Sequence, residues 1–303
     1  SNYIRVEAVN FNTARYLDNS GNAKVEFTGS MPAVGSGSFG GASGTIFVGG
    51  PAKFNEEITA TNVQGISPDD YTQSISLLSN QDDFQFNVIT MPGLNQNQHS
   101  TEVAQLINMC QERGDAIAVV DLPPYNSTIL TYTGEAAELN SSYAASYAPW
   151  LRVSDPGTGQ LIWVPASTVI PGVYAFNDRV AEPWFAPAGL NRGGLSTVVK
   201  PERKYTQSNR DSLYDGKVNP IASFPAAGTV VFGQKTLQTK ASALDRVNVR
   251  RLLIALKGFI SQVSDNLVFE QNTAATRNQF LGSVNPYLES VQQKQGLYAF
   301  KVV

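Results

Sequence analysis

The run Ala116-Ile117-Ala118-Val119-Val120 limits the fold more than any other feature of the chain. An unbroken apolar strand has no face to offer water, so it requires a parallel sheet covered on both sides. Just before it, residues 99–113 carry helical spacing and Gly114 closes the helix. Further upstream, Ser67-Pro68-Asp69-Asp70 is a helix start, with Ser67 as cap, proline at the first helical position and two acids facing the positive end of the helix dipole. Tyr71, Ile75 and Leu78 follow at helical spacing, and residues 84–91 alternate as a strand. The order helix, strand, helix, strand predicts an α/β (α+β mixed) fold with a layered sheet-and-helix domain.

Downstream, Pro149-Trp150-Leu151-Arg152-Val153 and Gln160-Leu161-Ile162-Trp163-Val164 read as two strands joined by the turn at residues 155–159. Residues 165–181 read as a helix, and the proline- and glycine-marked stretch 183–228 as long loops. Val249, Leu252, Leu253, Leu256, Ile260, Val263 and Leu267 recur every three or four residues and predict a long amphipathic helix. A second helical stretch spans about residues 272–295, broken near Asn285-Pro286. Residues 297–303 read as a strand. At the other end, Tyr3 to Val9, Lys24 to Phe27 and Thr45 to Val48 read as strands, which makes residues 1–50 a β-rich unit distinct from 51–303. Residues 35–44 hold five glycines and are expected to form a mobile joint. The chain opens at Ser1 without methionine and closes inside an apparent strand, so a piece of a longer protein is expected.

Little in this chain points to chemistry. Charged residues make up 16% and the net charge is −3, so no positive field exists to draw nucleic acid. No apolar run is long enough for a membrane-spanning helix, and direct membrane insertion is not expected. The single cysteine, Cys110, sits in the apolar run Leu106-Ile107-Asn108-Met109-Cys110 and reads as a buried structural thiol. The single histidine, His99, has no second histidine to share a metal and reads as a surface or capping residue. The acid pairs Asp69/Asp70 and Asp82/Asp83 stand beside turn and helix-start signals, where aspartate serves local hydrogen bonding. Gly35-Ser36-Gly37-Ser38-Phe39-Gly40 fits a dinucleotide-binding pattern but precedes a strand instead of following one. No catalytic, cofactor-binding or metal-binding residues are assigned.

Two longer segments narrow the reading. Val164-Pro165-Ala166-Ser167-Thr168-Val169-Ile170-Pro171-Gly172-Val173-Tyr174-Ala175-Phe176-Asn177-Asp178, continued by Pro183-Trp184-Phe185-Ala186-Pro187-Ala188-Gly189, resembles the tail sheath family of contractile bacteriophages. A second stretch agrees: Asn219-Pro220-Ile221, then Gly228-Thr229-Val230-Val231-Phe232-Gly233-Gln234-Lys235-Thr236-Leu237, then Asp245-Arg246-Val247-Asn248-Val249-Arg250-Arg251-Leu252. Phe269-Glu270-Gln271-Asn272 follows in the family's order, and Leu213-Tyr214-Asp215 with Ser223-Phe224-Pro225 looks like the sheaths of large tailed phages. Phe232 stands where a tryptophan is frequent in the family.

The resemblance implies an α/β inner domain over 51–303, including the start of the C-terminal sheath domain from about residue 205, and a variable β-rich outer domain over 1–50. It implies a non-enzymatic structural subunit in the phage tail, made in the host cytoplasm. Such a subunit would form, in the full-length protein, a homo-oligomer of stacked hexameric rings and partner with the tail tube, baseplate and tail terminator proteins, with no cofactor. Contraction would drive the tube through the host envelope. A bacterial injection sheath, of a tailocin or type VI secretion system, is the nearer alternative, and an α/β enzyme the one from another class. Arg246, Arg250, Arg251 and Lys257 lie on or near one helix and are the candidate tube or subunit contacts; ion pairs within their own subunit are the competing expectation.

Overall fold

The computed structural model describes residues 55, 58–63, 66–156 and 159–302. The β-rich unit and the glycine-rich segment expected within residues 1–50 lie outside the described residues. The chain enters through an antiparallel hairpin of β1 (Ile58–Thr59) and β2 (Asn62–Val63) and continues into α1 (Pro68–Leu78). Proline opens α1, and Asp69 and Asp70 occupy its first turn; the Ser67 side chain makes no capping bond, so the helix start rests on proline and the acids. Next come β3 (Val88–Asn95), α2 (Ser100–Arg113) and β4 (Ile117–Asp121). Gly114 ends α2 in the left-handed region, at φ 69°, and returns its N–H to the Cys110 carbonyl at 2.9 Å.

Then follow α3 (Ile129–Glu138), β5 (Ala144–Ala145), β6 (Tyr147–Ala148), and the antiparallel hairpin of β7 (Leu151–Ser154) and β8 (Leu161–Val164). A 3-10 turn at Ala166–Thr168 leads into α4 (Ile170–Val180). The rest comprises β9 (Val198–Pro201), α5 (Gln207–Asp215), β10 (Asn219–Phe224), β11 (Gly228–Val231), α6 (Val247–Asp265) and α7 (Ala274–Gln293). Three small sheets organise these strands, in the orders β3-β4-β5, β8-β7-β9 and β11-β10-β6. The first is wholly parallel, with Val88 paired to Ile117 and Ala118 to Ala144.

The central strand β4 is buried along its whole length. Its side chains alternate between two cores. Ala118 and Val120 join Ile75 of α1, Leu106, Ile107 and Cys110 of α2, Tyr132 of α3 and Leu213 of α5. Ile117 and Val119 join Ile170, Val173 and Tyr174 of α4, Ile221 of β10, and Val247 and Ile254 of α6. The two-sided cover expected from the apolar run is therefore present. A third cluster seats α7 against α6 and the loop after α4, through Val284, Leu288 and Val291 against Leu252, Leu256 and Trp184. Cys110 is fully buried, and burial pushes its thiol up to about 12, so it is the structural thiol expected.

Several expectations need correction. Residues 84–87 are not strand; β3 starts at Val88. The Phe84 and Leu78 carbonyls instead accept bonds from the buried Arg113 guanidinium at 2.8 and 2.7 Å. The stretch 183–228 holds β9, α5 and the whole of β10 and is not a run of long loops. Helix α7 passes through Pro286 without a break, because Val284 and Leu288 on either side of the proline are both buried and tertiary burial overrides the lost hydrogen bond. Residues 297–302 form no strand: Leu297, Phe300 and Val302 fold onto the third cluster. His99 is not a surface residue. It is 2% exposed, its Nδ1 accepting the Asn95 N–H at 3.2 Å while Nε2 lies 2.9 Å from the Thr59 carbonyl, so it pins the β1–β2 hairpin to the start of α2.

Two-sided cover of β4 has a measurable consequence. Ile117→Ala and Leu106→Ala each empty one of the two cores on opposite faces of the sheet, and each should cost about 2–5 kcal/mol of unfolding free energy in urea titrations. A cost below about 1 kcal/mol for Ile117→Ala would mean that the second face is not a packed core.

Candidate assembly interface

Helix α6 carries the candidate cations, and its start is fixed before any of them acts. The Val247 N–H donates to the Gln234 carbonyl at 2.8 Å, and the Thr236 hydroxyl donates to the Leu244 carbonyl at 2.9 Å. Beneath this junction lies Asn219, with no exposed surface. Its amide nitrogen donates to the Ser146 and Lys235 carbonyls at 3.0 and 2.7 Å, and its amide oxygen accepts from the Lys235 N–H. One side chain thereby joins β6, β10 and the loop that delivers α6, which satisfies groups that burial would otherwise strand.

Of the four candidates, two point into the subunit. Arg251 has a side chain 3% exposed and grips Asp178 of α4 with two bonds, 2.9 and 2.5 Å, while lying over the Tyr174 ring at 4.6 Å. Tyr174 in turn shares a 2.6 Å hydroxyl bond with Tyr147 of β6. Arg250 is buried over the Tyr143 ring at 3.9 Å and donates to the Ser142 hydroxyl at 2.5 Å; burial lowers its pKa. Both guanidinia are intramolecular ties, set on the apolar face because 250 and 251 fall three and four residues after Val247 and four and three before Ile254. Planar donors of this kind suit bidentate and stacked partners.

The other two stay at the surface. Arg246, half-buried at the head of α6, pairs with Asp245 at 3.1 Å and donates to the Tyr214 hydroxyl. Lys257 is exposed and donates to the Arg113 carbonyl at 3.0 Å.

Sequence reasoning missed a buried carboxyl, Asp121, at the last position of β4. Burial pushes it up to about 7, against the Ser167 hydroxyl and N–H, which donate to it at 2.5 and 3.2 Å and favour the ionised form. Its position directly after an unbroken apolar strand was the available signal. Asp121 fastens the sheet to the turn that starts α4, and this is structural work. Glu202 is likewise raised by burial, with Arg203 opposing. His99 has both ring nitrogens engaged with backbone and offers neither acid a proton-transfer partner. Among the described residues no group of three or more His, Cys, Asp and Glu side chains could hold a metal ion. The arrangement builds a braced body whose polar groups hold elements together.

Comparison with known proteins agrees with that class. Residues 64–237, more than half of the chain, match the family profile of the phage tail sheath protein central domain, and the chain belongs to the phage tail sheath family. The tail sheath protein of Vibrio phage KVP40 is 35% identical over 190 residues, 61% of this chain and 28% of that protein. That of Enterobacteria phage T4 is 34% identical over 186 residues, with the same shares. The chain thus spans about 28% of the length of these relatives. Among solved structures, the sheath complex of the extracellular contractile injection system PVC in its contracted state superposes with a TM-score of 0.61 at 27% identity, covering 75% of this chain and 62% of that one. A chain of the anti-feeding prophage baseplate shares the fold, with a TM-score of 0.63 at 24% identity over 78% of this chain and 61% of that one.

Asp121 gives a pH signature. Its carboxyl titrates at 3.8 ordinarily and at about 7 here, so the fold disfavours ionisation. Its stabilising contribution is complete below pH 4 and is lost as pH rises through 7, by on the order of 4 kcal/mol in total. Asp121→Asn should flatten stability between pH 4 and 8, gaining relative to the parent at the alkaline end. Parallel stability curves for the two would refute the assignment.

Proposed function

We propose that this chain is the inner, force-transmitting part of a contractile tail sheath subunit, which polymerises around a tail tube in stacked hexameric rings and contracts to drive the tube through the host envelope. Family membership over residues 64–237 carries the reading. Within it, residues 51–303 are the inner domain, with the C-terminal sheath domain starting near 205, and residues 1–50 belong to a variable β-rich outer domain. The subunit acts without catalysis or cofactor, contacts the tube, baseplate and terminator proteins and not nucleic acid, and resides in the phage tail after synthesis in the host cytoplasm. The work of contraction comes from interfaces that differ between two arrangements of one rigid unit. The Arg251–Asp178 and Arg250–Ser142 ties support rigidity, because they bind α6 to the body on which it sits.

A second reading, the sheath of a bacterial contractile injection system, draws support from the PVC likeness. The phage reading is favoured by the higher identities to phage sheaths. Negative-stain microscopy of the full-length protein tests both against an enzyme: cross-striated hollow tubes are expected, and persistent monomers with substrate turnover would sink the proposal.

Of the four candidate contacts, Arg246 and Lys257 remain for a neighbour or the tube. Charge reversal, Arg246→Glu with Lys257→Glu, should weaken assembly on the tube by about tenfold while leaving the melting transition in place. Assembly unchanged across salt concentrations would exclude them.

A further inference from the structure

Charge is divided along this chain. Residues 66–140 hold ten acids and one cation, Arg113, whereas residues 141–257 hold fourteen cations and seven acids. Because the first sheet is parallel, its two ends are distinct faces, and part of this acid surplus, Asp82, Asp83 and Glu112, lies together at one of them. At the amino ends of β3 and β4, Asp82 and Asp83 sit in the exposed turn before β3, and Glu112 is exposed at the end of α2, just before β4. Asp83 accepts a bond from Asn80 at 2.8 Å, and Arg113 is committed to Asp115 at 2.9 Å. Among the described residues, no ion pair joins Asp82, Asp83 or Glu112 to a cation. Lys257 is the cation that shares this end.

At the carboxyl ends, Glu135 and Glu138 accept bonds from Asn97 and Gln96, and next to them a separate face carries cations unpaired among the described residues. Tyr125, in the loop after β4, packs on Trp150 and Trp163 at ring distances of 5.8 and 5.4 Å, which seats the β8-β7-β9 sheet at this end. In that sheet Arg152 is registered opposite both Trp163 and Lys200, so all three side chains share one face. Arg152 lies over the Trp163 ring at 5.6 Å and Lys200 at 5.8 Å. Lys204 is exposed, and Arg203 reaches Asn126 at 3.0 Å on the same side. Two like charges directly opposite in a sheet are destabilising. Here neither is joined to a carboxylate among the described residues, and the Arg152 Nε is buried without a hydrogen-bond partner. Arginine and tryptophan set on a half-exposed face are the side chains that anchor interfaces.

We propose that the face formed by Arg152, Trp163 and Lys200 docks onto the Asp82, Asp83 and Glu112 face of a second copy of this chain, carboxyl end to amino end. The contact joins two different surfaces, so it repeats from copy to copy, and where its rotation does not close a ring it propagates a helical stack. Complementary charge sets its orientation, since copies joined by like ends repel. This inference rests on the sheath reading and adds which faces meet within it.

The test is a charge swap in the full-length protein. Arg152→Glu with Lys200→Glu makes both ends acidic, and Asp82→Lys with Asp83→Lys makes both basic. Each double variant alone should raise the protein concentration needed for tubes by about tenfold or more, with melting by circular dichroism unchanged. An equimolar mixture of the two should restore assembly, because each now complements the other. Normal assembly by either variant alone, failure of the mixture to recover, or loss confined to binding of the tube protein overturns the proposed contact. If the unsubstituted full-length protein forms no tubes, the sheath reading itself falls, and the two failures are thereby distinguished.

Discussion

Everything in this structure hangs on β4, five residues buried on both faces. A strand of that kind cannot exist until two layers have closed over it, so the helices before it and the strands and helices after it are obliged to pack on opposite sides. The chain meets that obligation in order: α1 and α2 cover the Ala118 and Val120 face, and α4 with α6 covers the Ile117 and Val119 face. Asp121 then joins the end of the strand to Ser167, where the second layer begins. The cost of burying that carboxyl is accepted in exchange for a fixed angle between sheet and α4.

Helix α6 is the other structural commitment. A long amphipathic helix laid on a core by apolar contacts alone could slide, because such contacts are non-directional. The two guanidinia remove that freedom. Arg251 reads the Asp178 carboxylate bidentately and Arg250 stacks on Tyr143, so α6 is registered against α4 on one side and against the segment leading into β5 on the other. On the proposed function, a subunit that passes force to its neighbours gains from such directional ties, because a close-packed, braced body transmits strain.

The elements legible in the sequence were those whose partners are local. The Gly114 cap, the Pro68 helix start, the β7–β8 hairpin and the α6 stripe are each specified within a few residues. What was not legible depends on distant pairing. β5 and β6 are two-residue strands of small or aromatic side chains, and β6 finds its partner in β10, some seventy residues away. Helix α3 hides behind Gly134 and β-branched residues, and its Leu130 is 81% exposed, which blurs its apolar stripe. The motif containing Asn177-Asp178 and the Val-Arg-Arg-Leu helix start were both visible as family likenesses. Their meeting as one ion pair was not, because charge at a helical position reads as solvent-facing until its partner is known. The spacing of Arg250 and Arg251 from Val247 and Ile254 was the overlooked sign.

Rigidity is the claim on which the functional account stands, and it is open to direct observation. Helical reconstruction by electron cryo-microscopy of assembled tubes before and after contraction would show the same subunit twice. The account predicts that the bonds from Arg251 to Asp178 and from Arg250 to Ser142 persist in both, and that residues 66–265 superpose within about 1 Å, the interface change lying outside this body. Release of α6 from α4, with Arg251 leaving Asp178 in one of the two states, would show that the subunit itself is the moving part and would contradict it.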